Sequence, residues 1–303
     1  MAEKQTEILL ESGTNELELL EFVVGTQHYG INVAKIRELC QYQTPTPVPN
    51  AHPFIEGIFM PRDVMITVIN LKHCLGLSDS TVTDEGLLII TNFNKLNIAF
   101  HVDAVKGIHR ISWEQIIKPG ATVSTSEDSI STGIVKLDNR LVIILDFEKI
   151  VSDINPETGL KISEIDDMGV RQRSNVPILI AEDSVLLNKL IVDSLKKAGY
   201  DNLIHTQNGQ EAYDVIQACK ADGTLKDHVQ CVITDIEMPL MDGHRLTKLI
   251  KSDDETKDIP VVIFSSLVND EMKRKGEALG ADAQLSKPEI ANLVRIIDDL
   301  VKK

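Results

Sequence analysis

The spacing of apolar residues changes near the middle of the chain, and this change limits the folds available to it. From about Leu17 to Ile150, short β-branched runs follow one another with turn residues between them. From Val176 onward, continuous apolar runs alternate with segments in which apolar residues recur at helical spacing. The first pattern is typical of an all-β domain. The second predicts a parallel sheet that is covered by helices on both faces.

Domain boundaries follow from these two patterns. The predicted parts are an N-terminal tail, an all-β domain, a linker and a doubly wound α/β domain, which span residues 1–16, 17–151, 152–175 and 176–303. The linker carries proline, glycine and mixed charges without a sustained period. Within the all-β domain we expect a tight hairpin turn around Asp138-Asn139-Arg140 and short helices after Asn70 and Asp146.

The charge of the chain argues against two classes of partner. Its 303 residues carry a formal charge of −15, whereas nucleic acids and anionic membranes bind basic surfaces. No helix-turn-helix pattern is visible, which further disfavours a DNA-binding regulator. No apolar run approaches the roughly 20 residues that a membrane-spanning helix needs, and the first residues contain no signal-peptide core. We therefore expect a cytoplasmic protein.

Five residues whose side chains can bind a metal or take part in a reaction fall where predicted strands of the α/β domain end. They are Glu182, Asp183, Asp235, Ser265 and Lys287. Taken singly, each also fits a helix cap, a turn residue or a solvated lysine. The carboxyl ends of parallel strands meet at one edge of the sheet, however, so all five are expected to lie close together.

Their chemistry suggests a metal-assisted phosphoryl acceptor. Three carboxylates at one place repel each other unless a cation lies between them, and oxygen ligands suit Mg²⁺. The metal would screen an incoming phosphoryl group and leave Asp235 as the nucleophile. Lys287 can neutralise one phosphoryl oxygen, and Ser265 can donate a hydrogen bond to another.

Four segments resemble the signature of two-component receiver domains. They are Ile-Leu-Ile-Ala-Glu182-Asp183-Ser, Thr-Asp235-Ile-Glu-Met-Pro-Leu-Met-Asp-Gly243, Phe-Ser265-Ser and Ser-Lys287-Pro. The resemblance implies a flavodoxin-like (βα)5 fold and transfer of a phosphoryl group from a histidine kinase to Asp235. It also implies Mg²⁺ held by Asp183, Asp235 and the backbone carbonyl of Glu237, with Glu182 acting through water. One departure is Gln284, which stands where receivers often carry the aromatic residue that reports the switch.

The all-β domain resembles the CheW adaptor family. The matching segments include Phe22-Val-Val-Gly, Tyr29-Gly-Ile, Pro49-Asn-Ala, Val68-Ile-Asn-Leu and Gly133-x-Val-Lys-Leu-Asp-Asn-Arg-Leu. The resemblance implies two small five-stranded barrels that bind the histidine kinase CheA and the cytoplasmic tips of chemoreceptors. The family's receptor-contact positions correspond to Ile36, Glu38 and Arg62. From the residues alone, a core position for Ile36 and ordinary surface positions for the two charged residues are the favoured interpretation, and the resemblance reverses it.

A CheW-like domain followed by a receiver is the architecture of CheV-type chemotaxis proteins. The resemblance implies an adaptor, located at polar chemoreceptor arrays, that couples chemoreceptors to CheA and is regulated by phosphorylation of Asp235. One alternative is a phosphate sink that drains the kinase. Another is a Mg²⁺-dependent phosphohydrolase, although no second aspartate lies two residues after Asp235 to act as its acid–base group. We expect slow self-dephosphorylation and no enzymatic turnover of an external substrate.

Overall fold

A computed structural model of the chain describes most of its length. The described residues are 13–77, 85–93, 96–117, 130–155, 165, 168–169, 171–267, 270–287 and 289–301. They fall into two compact units, one formed by Leu17–Thr158 and the other by the segments on either side of it in the sequence. Residues 1–12 of the predicted tail, residues 156–164, 166–167 and 170 of the predicted linker, and Pro288 lie outside the described residues.

The described part of the first unit contains ten strands and two α-helices. The strands are β1 Glu16–Val24, β2 Gln27–Asn32, β3 Ile36–Gln41, β4 Ile55–Phe59, β5 Ile66–Asn70, β6 Leu87–Phe93, β7 Leu96–Val102, β8 Ala104–Ser112, β9 Ser131–Leu137 and β10 Arg140–Leu145. The helices are α1 Leu71–Cys74 and α2 Phe147–Ile154. Two five-stranded sheets result, with the orders β8-β1-β2-β10-β9 and β3-β6-β7-β5-β4. The predicted all-β class of this unit is confirmed.

Local chemistry explains where these elements begin and turn. The side chain of Asn70 accepts a hydrogen bond from the His73 amide at 3.1 Å and starts α1, and Asp146 caps α2 in the same way. The predicted hairpin between β9 and β10 turns at Asp138, whose φ of 51° is one that aspartate tolerates. Both predicted helices and the hairpin are therefore confirmed.

Alternating side chains give the first unit more than one core. In β1, Leu17 and Leu19 pack with residues of their own sheet, whereas Leu20 and Phe22 enter a second cluster. This second cluster combines residues from both sheets with Phe147 of α2. A third cluster lies within the sheet that contains β5, β6 and β7. Each sheet thus buries one face around its own core and contributes its other face to a shared one.

The second unit contains a five-stranded parallel sheet with helices between its strands. The strands are β11 Ile178–Ala181, β12 Leu203–Thr206, β13 Cys231–Thr234, β14 Val261–Ser265 and β15 Ala283–Ser286. The helices are α3 Val185–Lys197, α4 Gly209–Ala221, α5 Leu225–His228, α6 Gly243–Ser252, α7 Asp270–Ala278 and α8 Ile290–Val301. The strand order is β12-β11-β13-β14-β15, and every neighbouring pair is parallel.

Both faces of this sheet are buried, as the continuous apolar strands predict. In β11, Ile178 and Ile180 face one core, while Leu179 and Ala181 face the other. The predicted doubly wound α/β class is therefore confirmed. Because all five strands run in the same direction, their carboxyl ends lie along one rim, and that rim carries the candidate site.

Candidate functional site

Three carboxylates meet at the carboxyl ends of the two central strands. Glu182 and Asp183 follow β11, and Asp235 follows β13, which pairs directly with β11. One carboxylate oxygen of each lies within 4.8 Å of the others. The backbone amide of Asp235 donates to the carbonyl of Ala181 at 2.9 Å, which holds the two strand ends in register. The predicted convergence of these three acids is therefore present in the fold.

Lys287 provides the cation that faces these acids. It follows β15, and its side chain is buried. Its Nζ lies 2.7 Å from Asp235 Oδ2 and 3.1 Å from Glu182 Oε2. A buried lysine between two buried carboxylates avoids the high cost of an unpaired charge.

The charge of one lysine does not neutralise three carboxylates, and the pKa of Glu182 is affected by this excess of negative charge. Burial raises the pKa of Glu182 well above its ordinary value, Lys287 opposes the rise, and the charge of Asp235 adds to it. Glu182 Oε2 is fully buried and has no hydrogen-bond partner among the described residues, although it lies within ion-pairing distance of Lys287. A group of oxygens with excess negative charge, one of which is buried without a hydrogen bond, fits a hard divalent cation such as Mg²⁺.

The carboxylate of Asp235 is held in a defined orientation. The backbone amide of Ile236 donates to Oδ1 at 2.6 Å, while Lys287 occupies Oδ2. The hydroxyl of Thr234 donates to the backbone carbonyl of Asp235 at 2.8 Å. A Cβ atom at Gly243 would lie 1.9 Å from that same carbonyl oxygen, so only glycine fits there. These contacts keep the carboxylate of Asp235 at the rim.

Ser265 also lies at this rim. It ends β14, pairs with Ser286 and is 1% exposed. Its Oγ accepts a hydrogen bond from the Leu267 amide at 3.2 Å, and its carbonyl accepts one from the Lys287 amide at 3.2 Å. The strand therefore brings the hydroxyl to the same edge as the lysine. The side chain of Glu237, two residues after Asp235, is half-buried.

Gln284 contacts the backbone of helix α7. Its Nε2 donates to the carbonyl of Lys273 at 2.6 Å, and its Oε1 is buried without a hydrogen-bond partner in the described region. A Cβ atom at Gly276 would come within 2.5 Å of its amide carbon. The glycine thus allows α7 to approach the amide side chain that stands in place of an aromatic ring.

Sequence reasoning missed Asn188 as part of this site. Its side chain is buried in α3 and donates to the carbonyl of Glu182 at 3.3 Å, which fixes the backbone that carries two of the acids. No sequence signal marks it, because an asparagine on a helix is ordinary. Thr234 and Gly243 were visible only as members of the motif around Asp235.

The three predicted receptor-contact residues of the first unit do not all lie on one element. Ile36 and Glu38 are half-buried residues of β3, and Ile36 packs partly against the core. Arg62 is exposed and follows β4, which lies at the other end of the strand order. Its φ of 51° places it in a left-handed turn with Asp63. Within β3 the more exposed neighbours are Arg37 and Leu39.

Comparison with known proteins covers both units. A CheW-like domain model matches residues 18–155, and a response regulator receiver domain model matches residues 178–298. The chemotaxis protein CheW of Thermotoga maritima is 32% identical over 50% of this chain and 98% of its own length. The chemotaxis protein CheV3 of Helicobacter pylori is 28% identical over 100% of this chain and 99% of its own. The chain belongs to the CheV-type chemotaxis proteins. CheV2 of the same bacterium is 29% identical over 91% of this chain.

The match to this family assigns the two units. In this CheV-type chain the carboxylate cluster, Ser265 and Lys287 all lie within the receiver segment, and β1 to β10 make up the CheW-like segment. The two matching models are those of a CheW-like domain and a response regulator receiver domain, and neither is the model of an enzyme family. Within the described part of the CheV-type chain, no helix is long and apolar enough to cross a bilayer.

Proposed function

We propose that this CheV-type protein is an adaptor that couples chemoreceptors to the histidine kinase CheA and is regulated by phosphorylation of Asp235. Its place would be at cytoplasmic chemoreceptor arrays. The observation that carries the proposal is the position of Asp235, whose carboxylate lies against Lys287 at 2.7 Å and within 4.8 Å of two further acids. The chain joins a CheW-like module to a receiver module, as its CheV relatives do. This supports a protein in which one module couples receptor to kinase and the other regulates that coupling.

The residues at the rim suit Mg²⁺ and a phosphoryl group. Asp183, Asp235 and the backbone carbonyl of Glu237 would hold the ion, with Glu182 acting through water. When bound, Mg²⁺ supplies positive charge that screens the negative phosphoryl oxygens from the carboxylates.

Phosphoryl transfer needs a nucleophile, a cation and a hydrogen-bond donor. A carboxylate oxygen of Asp235 attacks phosphorus, a P–O bond forms, and the P–N bond to the kinase histidine breaks with its electron pair leaving on the imidazole. In the unmodified protein Lys287 Nζ donates a hydrogen bond to Asp235 Oδ2. After transfer it can pair with a phosphoryl oxygen instead. The buried hydroxyl of Ser265 would donate to another, and this new bond would favour a second packing of the receiver.

Labelling with a small phosphodonor tests the acceptor. Acetyl phosphate with Mg²⁺ should label the wild-type chain and Ser265→Ala, because Ser265 acts after transfer. It should not label Asp235→Asn, which keeps the shape of the side chain but lacks the nucleophilic carboxylate. Persistent labelling of Asp235→Asn would remove the assignment. Steady hydrolysis of a generic phosphomonoester by the wild-type chain would instead favour the phosphohydrolase alternative.

A reconstituted array separates regulation from a phosphate sink. Receptor-coupled CheA activity is compared between the wild-type chain and Asp235→Ala, with no other receiver present. A difference in coupling supports regulation through Asp235. Equal coupling, together with faster loss of phosphoryl from the kinase in the wild type, favours the sink.

The receptor surface is tested by charge reversal. We expect Glu38→Arg and Arg62→Glu to weaken co-sedimentation with receptor-containing membranes, because each reverses a charge at a family contact position. Arg37→Glu is the control, since Arg37 is an exposed neighbour on the same strand. Equal binding by all three variants would indicate that Glu38 and Arg62 are ordinary surface residues that do not contact the receptor.

A further inference from the structure

A short segment ahead of the CheW-like domain packs against the receiver. Residues 13–16 belong to the same compact unit as the receiver. Asn15 is 8% exposed, and its side chain forms two hydrogen bonds to the receiver backbone. Its Nδ2 donates to the carbonyl of Leu240 at 2.7 Å, and its Oδ1 accepts from the amide of Asp242 at 3.0 Å. A single amide side chain thus holds both a donor and an acceptor of one loop.

Further contacts bring the backbone of the segment close to α6. The guanidinium of Arg245 donates to the carbonyl of Gly13 at 3.3 Å. Gly13 is buried and left-handed, with a φ of 77°, and a Cβ atom there would lie 2.8 Å from the side chain of Lys248. Asn15 is also left-handed, with a φ of 64°, a conformation that asparagine adopts more readily than most residues. We call residues 13–15 the clip.

The loop that the clip holds begins at the candidate phosphoacceptor. The amide of Ile236 donates to Asp235 Oδ1, and the carbonyl of Ile236 accepts from the amide of Gly243 at 3.0 Å. Leu240, whose carbonyl the clip holds, is left-handed at a φ of 67°. The loop is therefore a tight turn with Asp235 at one end and the clip near the other.

We propose that the clip is an intramolecular latch that favours the receiver conformation with an unmodified Asp235 and that loosens on phosphorylation. Asn15 is followed directly by Glu16, the first residue of β1, so the latch is covalently continuous with the CheW-like domain. Release would change the freedom of the chain that leads into that domain. This inference rests on the proposed function, because the releasing event is phosphorylation of Asp235.

The expectation that phosphorylation loosens the latch follows from the hydrogen bonds around Asp235. Both of its carboxylate oxygens are engaged, Oδ1 by the Ile236 amide and Oδ2 by Lys287. A phosphoryl group on either oxygen must alter one of these bonds and disturb the start of the loop. If phosphorylation weakens the latch, thermodynamic linkage requires that loss of the latch strengthen binding of a phosphoryl mimic by the same factor.

The test compares two glycine variants of the full chain. Asn15→Gly removes the amide and tolerates the left-handed backbone without strain. Thr14→Gly is the control, since it gives the neighbouring residue the same backbone freedom and removes only an exposed side chain. Affinity for Mg²⁺ with beryllofluoride is measured by fluorine NMR, and hydrogen exchange at the Asp242 amide reports the latch itself. Circular dichroism melts establish that all three chains are folded.

We expect Asn15→Gly to bind beryllofluoride on the order of fivefold more tightly than the wild type, with faster exchange at Asp242. Thr14→Gly should match the wild type in both measurements. If Asn15→Gly binds beryllofluoride no more tightly than the wild type, and the wild type and Thr14→Gly bind it normally, the latch is overturned. The proposal that Asp235 is phosphorylated is then unaffected. Failure of all three chains to bind beryllofluoride overturns both the latch and the proposed function.

Discussion

Replacement of Arg140 by methionine should destabilise the CheW-like domain through one buried carboxylate. Glu21 in β1 is 0% exposed, and its oxygens accept bonds from Arg140 Nε at 2.6 Å and Nη2 at 2.8 Å. His28 and His109 lie 2.6 and 2.7 Å from the same carboxylate. Methionine keeps most of the apolar stem of Arg140 but removes the charge and the bidentate hydrogen bonds.

The magnitude follows from the pKa of Glu21. The hydrogen bonds from Arg140 are the largest influence on this carboxylate, burial opposes them, and the net result lowers its pKa from 4.5 to about 2. That difference corresponds to about 3 kcal/mol of stabilisation shared among all its partners. Because Arg140 is itself partly exposed and screened by water, we expect Arg140→Met to remove only part of this stabilisation, but to reduce the free energy of unfolding at pH 7 clearly more than a substitution at the surface does.

The pH dependence is part of the same prediction. A carboxyl group whose folded-state pKa is lowered stabilises the fold above its unfolded pKa of about 4.5, and this contribution is lost as the pH falls towards 2. The difference between the wild type and Arg140→Met should therefore narrow over that range, as Glu21 becomes protonated.

The chain carries its own probe for this measurement. It contains one tryptophan, Trp113, which is buried in the core shared by β1 and β8. Urea unfolding followed by Trp113 fluorescence therefore reports this domain alone. Arg37→Met, which loses an exposed bond to Asn97, is the control and should change stability by less than about 0.5 kcal/mol. If Arg140→Met costs no more than Arg37→Met at pH 7, the argument from the buried carboxylate is refuted.

Three further predictions concern other buried groups. Lys287→Met should lower the rate of Asp235 labelling by acetyl phosphate on the order of a hundredfold, because it removes the cation that faces the incoming charge. Gly243→Ala should destabilise the receiver by about 3 kcal/mol or more in thermal melts, since its Cβ would meet a backbone carbonyl. Burial lowers the pKa of His101, but bonds to Glu56 Oε1 and a backbone carbonyl raise it more, so its net pKa is raised. Its stabilising contribution should be complete below pH 6.5 and lost as the pH rises through that raised value, and His101→Gln should lack this loss.

Each of these has a contrasting outcome. Undiminished labelling of Lys287→Met would show that the lysine serves only to pair the buried acids. Gly107→Ala is the control for Gly243→Ala, because nothing lies within 4 Å of the added carbon at Gly107. Equal stability loss in both glycine variants would mean that the close approach at Gly243 is relieved by a backbone shift. A pH profile shared by the wild type and His101→Gln would contradict a charged His101.

Strand β8 lacks the run of apolar residues by which a strand can be predicted from the sequence. Ala104–Ser112 has only Ile111 fully buried, and it carries Lys106, His109 and Arg110. A strand with so few buried side chains has too little apolar signal to be recognised. Its place beside β1 at one edge of the sheet decides its conformation.

The sequence alone determined the two domains and the residues that converge at the receiver rim. Strand and helix periodicity are local, and the topology of a parallel sheet brings strand ends together without further information. Tertiary structure decided how these residues are paired and what else contacts them. Arg140 reaches Glu21 across 119 positions, and Asn15 reaches Asp242 across 227. Such contacts have no local periodicity, because they depend on the packing of elements that are far apart in the chain.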